Sequence, residues 1–172
     1  DTIWNLLSRT VTLIIKYMNG QPLQNIELTW AAQELFTNIK TISDSVALST
    51  ETYHFRDWVQ SAVESFKLIN WYIAQAAPRE TAKSNPDQAA YDLSVVAHAI
   101  VHAASILAPY LPETSRQLIT LFTWSDNLIE WSQIWDISKT PTLAQFTEKP
   151  AYLFTKIPDE AIEGELEKLG KM

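Results

Sequence analysis

The sequence contains no cysteine, which excludes disulfides, cysteine zinc knuckles and thiol nucleophiles. That fits a reducing compartment, and a cytoplasmic location is the expectation. Only 3 glycines occur in 172 residues. Such scarcity argues against an all-β fold and against any glycine-rich phosphate loop. Positive charge is also short: 13 Lys and Arg against 20 Asp and Glu leave a formal net charge of −7. Phosphate contacts normally dominate nucleic-acid affinity, so the deficit speaks against a nonspecific binder and against a DNA partner. It leaves room for a small local site. The run from Leu93 to Leu111 is close to membrane-spanning length, but it carries His98, His102 and Ser105 and is closed by Pro109. A buried helix is the better reading, and no membrane partner is expected. Asp1-Thr2-Ile3-Trp4 has neither the methionine nor the basic run of a signal peptide. A start inside a helical pattern is the expectation for a piece of a longer chain.

What is present is hydrophobic residues, 47% of the chain, at helical spacing. Ile3, Leu6, Leu7, Val11, Ile14 and Met18 predict a helix over 2–18, stopped by Asn19-Gly20 and Pro22. A second helix runs from about Leu28 into the mid-forties, where Ser43-Asp44-Ser45 and Ser49-Thr50 blur its end. Phe55, Val59, Ala62, Phe66, Ile69 and Ile73 form the stripe of a third helix over about 52–76, ended by Pro78. Asn85 caps a fourth, with Pro86 in its first turn and Leu93, Val96, Ala97, Ile100, Val101, Ala104 and Leu107 facing the core. A short fifth follows Pro112 to about Phe122. Trp131, Trp135, Pro141 and Pro150 mark an irregular stretch, and Leu153 to Ile157 reads as extended. Pro158-Asp159-Glu160 opens a final polar helix. The fold class is therefore all-α, an antiparallel helical bundle over 1–150. Residues 151–172 form an extended segment and helix that pack back on the bundle or on a further domain.

No catalytic centre is legible: there is no Ser-His-Asp set, no separated carboxylate pair and no nucleotide loop. His98 and His102 have the i, i+4 spacing of metal ligands, but Ala99, Ile100 and Val101 lie between them and no third ligand is on the helix. Two packed or solvated histidines are the simpler reading, with no metal. The 7 tryptophans suit stacking platforms, yet core or packing roles are the simpler expectation for most. Trp71, about two turns before Pro78, is the exception.

The residues with the chemistry of single-stranded RNA recognition are Asn5 and Arg9, one turn apart, and Arg79 after Ala77-Pro78. Amides pair with base edges, and guanidinium planes stack on bases or hold phosphates. These stretches resemble the anticodon-binding helical domain of methionyl-tRNA synthetases, class Ia enzymes. Asn5-Leu6-Leu7-Ser8-Arg9-Thr10 and Lys16-Tyr17-Met18-Asn19-Gly20 are similar to its opening helix and turn. Asn70 to Arg79, with Lys83 beyond, resembles the end of its third helix, and Leu107 to Thr114 its closing corner. Leu153-Phe154-Thr155-Lys156-Ile157 resembles the segment that returns toward the catalytic domain.

The resemblance implies a tRNA partner whose CAU anticodon stem-loop is contacted by Asn5 and Arg9, and Arg79, Trp71 and Lys83 complete the set of candidate anticodon-binding residues. It also implies a catalytic domain, absent here, that uses ATP. The chain itself shows neither ATP-binding signature of class I synthetases and calls for no cofactor. Three positions depart from the family pattern. Arg79 stands where the family has a stacking tryptophan, Ala74 where it has an aspartate, and Trp4 where it has a small residue. Either Arg79 stacks through its guanidinium or Trp71 substitutes, or specificity has been lost in a divergent paralogue acting as a protein-interaction bundle. The equivalent domain of another class I synthetase is a further alternative.

Overall fold

A computed structural model describes residues 2–150 and 158–169. The extended segment expected at 153–157 lies outside them. Among the described residues every regular element is helical: α1 Thr2–Met18, α2 Trp30–Glu51, α3 Phe55–Ala76, α4 Pro78–Ser84, α5 Pro86–Leu107, α6 Pro112–Thr123 and α7 Asp159–Leu169. Two short 3-10 turns, Trp131–Gln133 and Ile137–Lys139, punctuate the stretch after α6. The all-α expectation holds.

α5 is the axis. Every residue from Asp92 to Leu107 is buried, and α1, α2, α3, α4 and α6 all pack against it. The helix is apolar and long enough to cross a membrane, but 89% of its apolar window lies inside the protein. Leu6, Leu7, Val11 and Ile14 of α1 are wholly or almost wholly inaccessible, as are Phe36 and Ile39 of α2 and Ala62, Phe66 and Ile69 of α3. Each large aliphatic or aromatic side chain so buried contributes about 1.5–3 kcal/mol.

Three details of the helices differ from the sequence reading. α2 continues past its serine-rich stretch to Glu51. There Ser43 is buried, and the Thr50 and Thr52 hydroxyls donate one turn back to the Val46 and Leu48 carbonyls. Hydroxyls satisfied this way need not break a helix. In α3 the core position falls on Trp58, fully buried, while Val59 is exposed. A residue of larger area gains more from burial, and it rotates the start of the stripe by one position. Finally, Pro78 both ends α3 and opens α4, a helix the periodicity did not reveal. Ala77 takes a left-handed conformation (φ 43, ψ 54) at the junction, and proline suits a first helical position. α4 was invisible because it buries only Pro78 and carries no apolar stripe.

The expected cap of α5 is present, the Asn85 side chain accepting from the Gln88 amide. So is the stop after α1, where Asn19 and Gly20 both have positive φ. Gly20 also receives the returning chain, since the Phe146 amide donates to its carbonyl at 2.8 Å. A Cβ at Gly20 would collide with the Phe146 carbonyl oxygen.

The histidines of α5 tie down the loop after α1 and the returning chain. The buried His98 donates from Nε2 to the Leu23 carbonyl at 3.0 Å. His102 donates from Nδ1 to the Ile134 carbonyl, and its Nε2 meets the Thr140 hydroxyl at 2.8 Å. Burial lowers the pKa of both below the usual histidine range, that of His102 to about 4. The anchors expected among the tryptophans are fewer than the sequence suggested. Trp58 is inside, Trp4 and Trp131 are half-buried against the core, and Trp30, Trp71, Trp124 and Trp135 are exposed.

Two outcomes follow. Gly20→Ala should lower stability by at least about 1 kcal/mol, through its positive φ and the clash with Phe146, read as a fall in the urea midpoint. As pH falls from about 6.5 to 4, the unfolded histidines take up protons that buried His98 and His102 refuse. Stability should therefore decline across that window by up to about 1.4 kcal/mol per pH unit for each histidine. His102→Asn should flatten the slope, measured by urea denaturation at stepped pH.

Candidate nucleic-acid interface

α1 turns its apolar stripe inward and so presents the opposite face to solvent. A four-residue step advances about 40° past a full turn, which keeps Asn5 and Arg9 on that face together. Both are exposed. Asn5 makes no side-chain hydrogen bond among the described residues. Arg9 donates from one terminal nitrogen to Asn70 Oδ1 of α3 at 3.1 Å, which leaves the rest of its donor fork available. The bulky Trp4 that precedes Asn5 is accommodated half-buried against the core.

The α3–α4 junction brings the second cation to the first. Pro78 is buried at the head of α4, and the next residue, Arg79, is exposed. The turn is held by the Glu80 and Thr81 amides donating to the Ala77 carbonyl at 2.9 and 3.1 Å, and by the Thr81 hydroxyl donating to Ala76 at 2.8 Å. A groove of about 270 Å³ results. Its apolar lining is Leu13, Ile73, Ala74, Ala77 and Pro78, and its charged lining is Arg9, Arg79 and Glu80. This lies just under the ~300 Å³ at which ligand pockets begin, a size suited to one base rather than a helix.

Behind the groove, α3 is locked in rotation. The Tyr72 hydroxyl donates to Asp92 Oδ1 at 3.0 Å, and the Gln88 side chain donates from Nε2 to Asp92 Oδ2 at 3.1 Å. Burial, then the neighbouring Asp92 charge, pushes the Tyr72 hydroxyl far above its ordinary pKa, so it remains a donor. A buried carboxylate without these partners would be costly, and the arrangement fixes which face α3 shows to α1.

Local charge differs from the chain's net −7. Lys40, Lys67, Lys83 and Arg116 each face a carboxylate within one turn of their own helix. Arg9 and Arg79 make no ion pair among the described residues. Both arginines line the groove, with guanidinium donors left for an anion or a base.

The structure therefore brings Arg9 and Arg79 together and sets Asn5 one turn away on the same face. Trp71 lies elsewhere. It is 60% exposed and lines a separate hollow with Ala31, Glu34, Leu35 and Asn38 of α2. One residue beyond Asn70, it is turned by 100° from the α3 face that meets Arg9, and it does not line the groove. Lys83 does not line the groove either; its ammonium sits 3.0 Å from Glu80 Oε2. Two groove-side residues escaped the sequence reading, Asn70 and Glu80. The signal for Asn70 was its place three, four and seven residues before Ile73, Ala74 and Ala77. That for Glu80 was its i, i+3 spacing to Lys83. His98 is hydrogen-bonded to the loop after α1 and His102 to the returning chain, and no group of three metal-ligating side chains occurs among the described residues.

The model of the family described as the anticodon binding domain of methionyl tRNA ligase matches residues 24–171. Among curated relatives, the methionine–tRNA ligase of Pelodictyon phaeoclathratiforme is 29% identical over 180 aligned positions, covering 98% of this chain and 25% of that one. The corresponding ligase of Phocaeicola vulgatus is 28% identical over 167, covering 96% and 24%. The chain thus spans about a quarter of the length of these relatives. Among solved structures, the free-state methionyl-tRNA synthetase of Mycobacterium tuberculosis superposes with a TM-score of 0.72 at 16% identity, over 92% of this chain and 32% of that one. At that identity the likeness bears on the fold alone. With the match extending from the loop after α1 through α7, this chain belongs to the family of anticodon-binding domains of methionyl-tRNA ligases.

Proposed function

We propose that the Arg9–Arg79 groove binds the anticodon stem-loop of a methionine-accepting tRNA. One observation carries the reading: two arginines seventy residues apart in sequence, exposed and without an ion pair among the described residues, line one groove of base size with an apolar floor. An unstacked base offers a flat apolar face and a polar edge. Leu13, Ile73 and Pro78 suit the face. Arg79, in place of an indole, stacks through its guanidinium plane, and Arg9 grips a base edge or phosphate bidentately. Asn5 pairs with the edge of a neighbouring base. In this reading the domain positions the anticodon in the cytoplasm while the catalytic part of a full-length ligase performs ATP-dependent aminoacylation.

Arg9→Ala and Arg79→Ala should each weaken binding of a CAU stem-loop by about 1–3 kcal/mol, measured by fluorescence anisotropy. Whichever arginine holds a phosphate should also reduce the slope of log K against log salt by about 0.7–1. Equal affinities of wild type and both variants would remove the groove from RNA binding. The 172-residue chain should give no methionine-dependent ATP–pyrophosphate exchange, since that chemistry is assigned to the rest of the ligase.

A further inference from the structure

The groove is not purely cationic. Glu80 lies in its lining beside Arg9 and Arg79, an odd choice for a surface meant to attract phosphate. A carboxylate there repels the RNA backbone and raises the cost of every bound nucleotide. Its neighbour Lys83 offsets part of that cost. The ammonium takes Oε2 at 3.0 Å and leaves Oε1 without a hydrogen-bond partner among the described residues. The pair is exposed on both sides and adds little to stability. What it supplies is a hydrogen-bond acceptor, partly neutralised, at the edge of a groove whose other charged groups are donors only.

An acceptor beside donors distinguishes bases that differ by an amino for a keto group. Cytosine offers an amino donor next to ring and carbonyl acceptors, which complements a carboxylate beside a guanidinium. Uracil places a carbonyl oxygen where cytosine has its amino group, so two acceptors would meet. We propose that Glu80, braced by Lys83, is a specificity-determining residue that selects an amino-bearing base in the groove over its keto counterpart. The proposal rests on the RNA-reading function given above and names the group that performs the selection. Lys83 thereby acts on the RNA through Glu80 rather than by holding a phosphate.

The test compares stem-loops carrying CAU and UAU with the wild-type chain, Glu80→Gln and Glu80→Ala, by anisotropy titration at fixed salt. Circular dichroism and thermal melts would verify that the variants fold. Wild type should prefer the CAU loop. Glu80→Gln should bind both loops more tightly, because a charge is gone. Its C-over-U ratio should fall at least about fivefold, the equivalent of 1 kcal/mol at the low end of base-edge discrimination, because an amide can turn either a donor or an acceptor to the base. Glu80→Ala should also lose the ratio. Tighter binding by both variants with an unchanged ratio would overturn the proposal, leaving Glu80 as a repulsive charge alone. No binding of the CAU loop by wild type would instead remove the RNA-reading function and this proposal with it. Binding by wild type without any C-over-U preference would spare that function and overturn only the role of Glu80.

Discussion

The burial of α5 on all sides is the constraint on which the rest depends. Five helices pack on it, so its polar side chains have no water to turn to and must find partners in the protein. They find them in the connecting segments. Ser94 accepts from the Leu23 amide, Ser105 from the Ile129 amide, and the two histidines reach the carbonyls of Leu23 and Ile134. A helix that looks merely hydrophobic thus also fastens the loop before α2 and the irregular chain after α6. Gln24 continues the stitching, exchanging two hydrogen bonds with the Leu143 backbone at 3.2 and 2.6 Å. The low histidine pKa values come from the same burial that holds the bundle together.

The groove is a by-product of how α3 ends against this axis. Proline at 78 forbids continuation of the helix, and Ala77 absorbs the change of direction in a left-handed conformation. A non-glycine residue there carries local strain, which the surrounding contacts must offset. Pro78 is buried at the junction, so Arg79 is thrown outward beside α1. The Tyr72–Asp92–Gln88 network then sets the rotation of α3, so that Asn70 rather than Trp71 meets Arg9. A one-residue difference in that rotation would have turned an indole toward Arg9.

Net charge is a poor guide to such a site. Several cations on the surface are neutralised within one turn of their own helix, whereas Arg9 and Arg79 have no carboxylate partner among the described residues and line one groove. An acidic domain can therefore present a small cationic edge, at the cost of a field that opposes RNA at long range. Such a balance favours recognition of one or two bases over broad affinity for backbone.

The residues by themselves determined the helices and their order, because apolar stripes at helical period and proline or glycine stops act locally. α1 over 2–18, the Asn85 cap and the proline starts at 86 and 112 were all legible. So was the family to which the chain belongs. Where burial competes with local preference, the sequence misled: Trp58 displaced Val59 from the core, and hydroxyls expected to break α2 were bonded within it. α4 had no stripe to betray it. Only the tertiary structure decided which cations share a groove, that Asn70 braces Arg9, that Trp71 faces α2, and that Glu80 joins the edge with Lys83 behind it. Those are relations between helices set by the rotation and crossing of packed faces, and no local pattern along one chain segment encodes them.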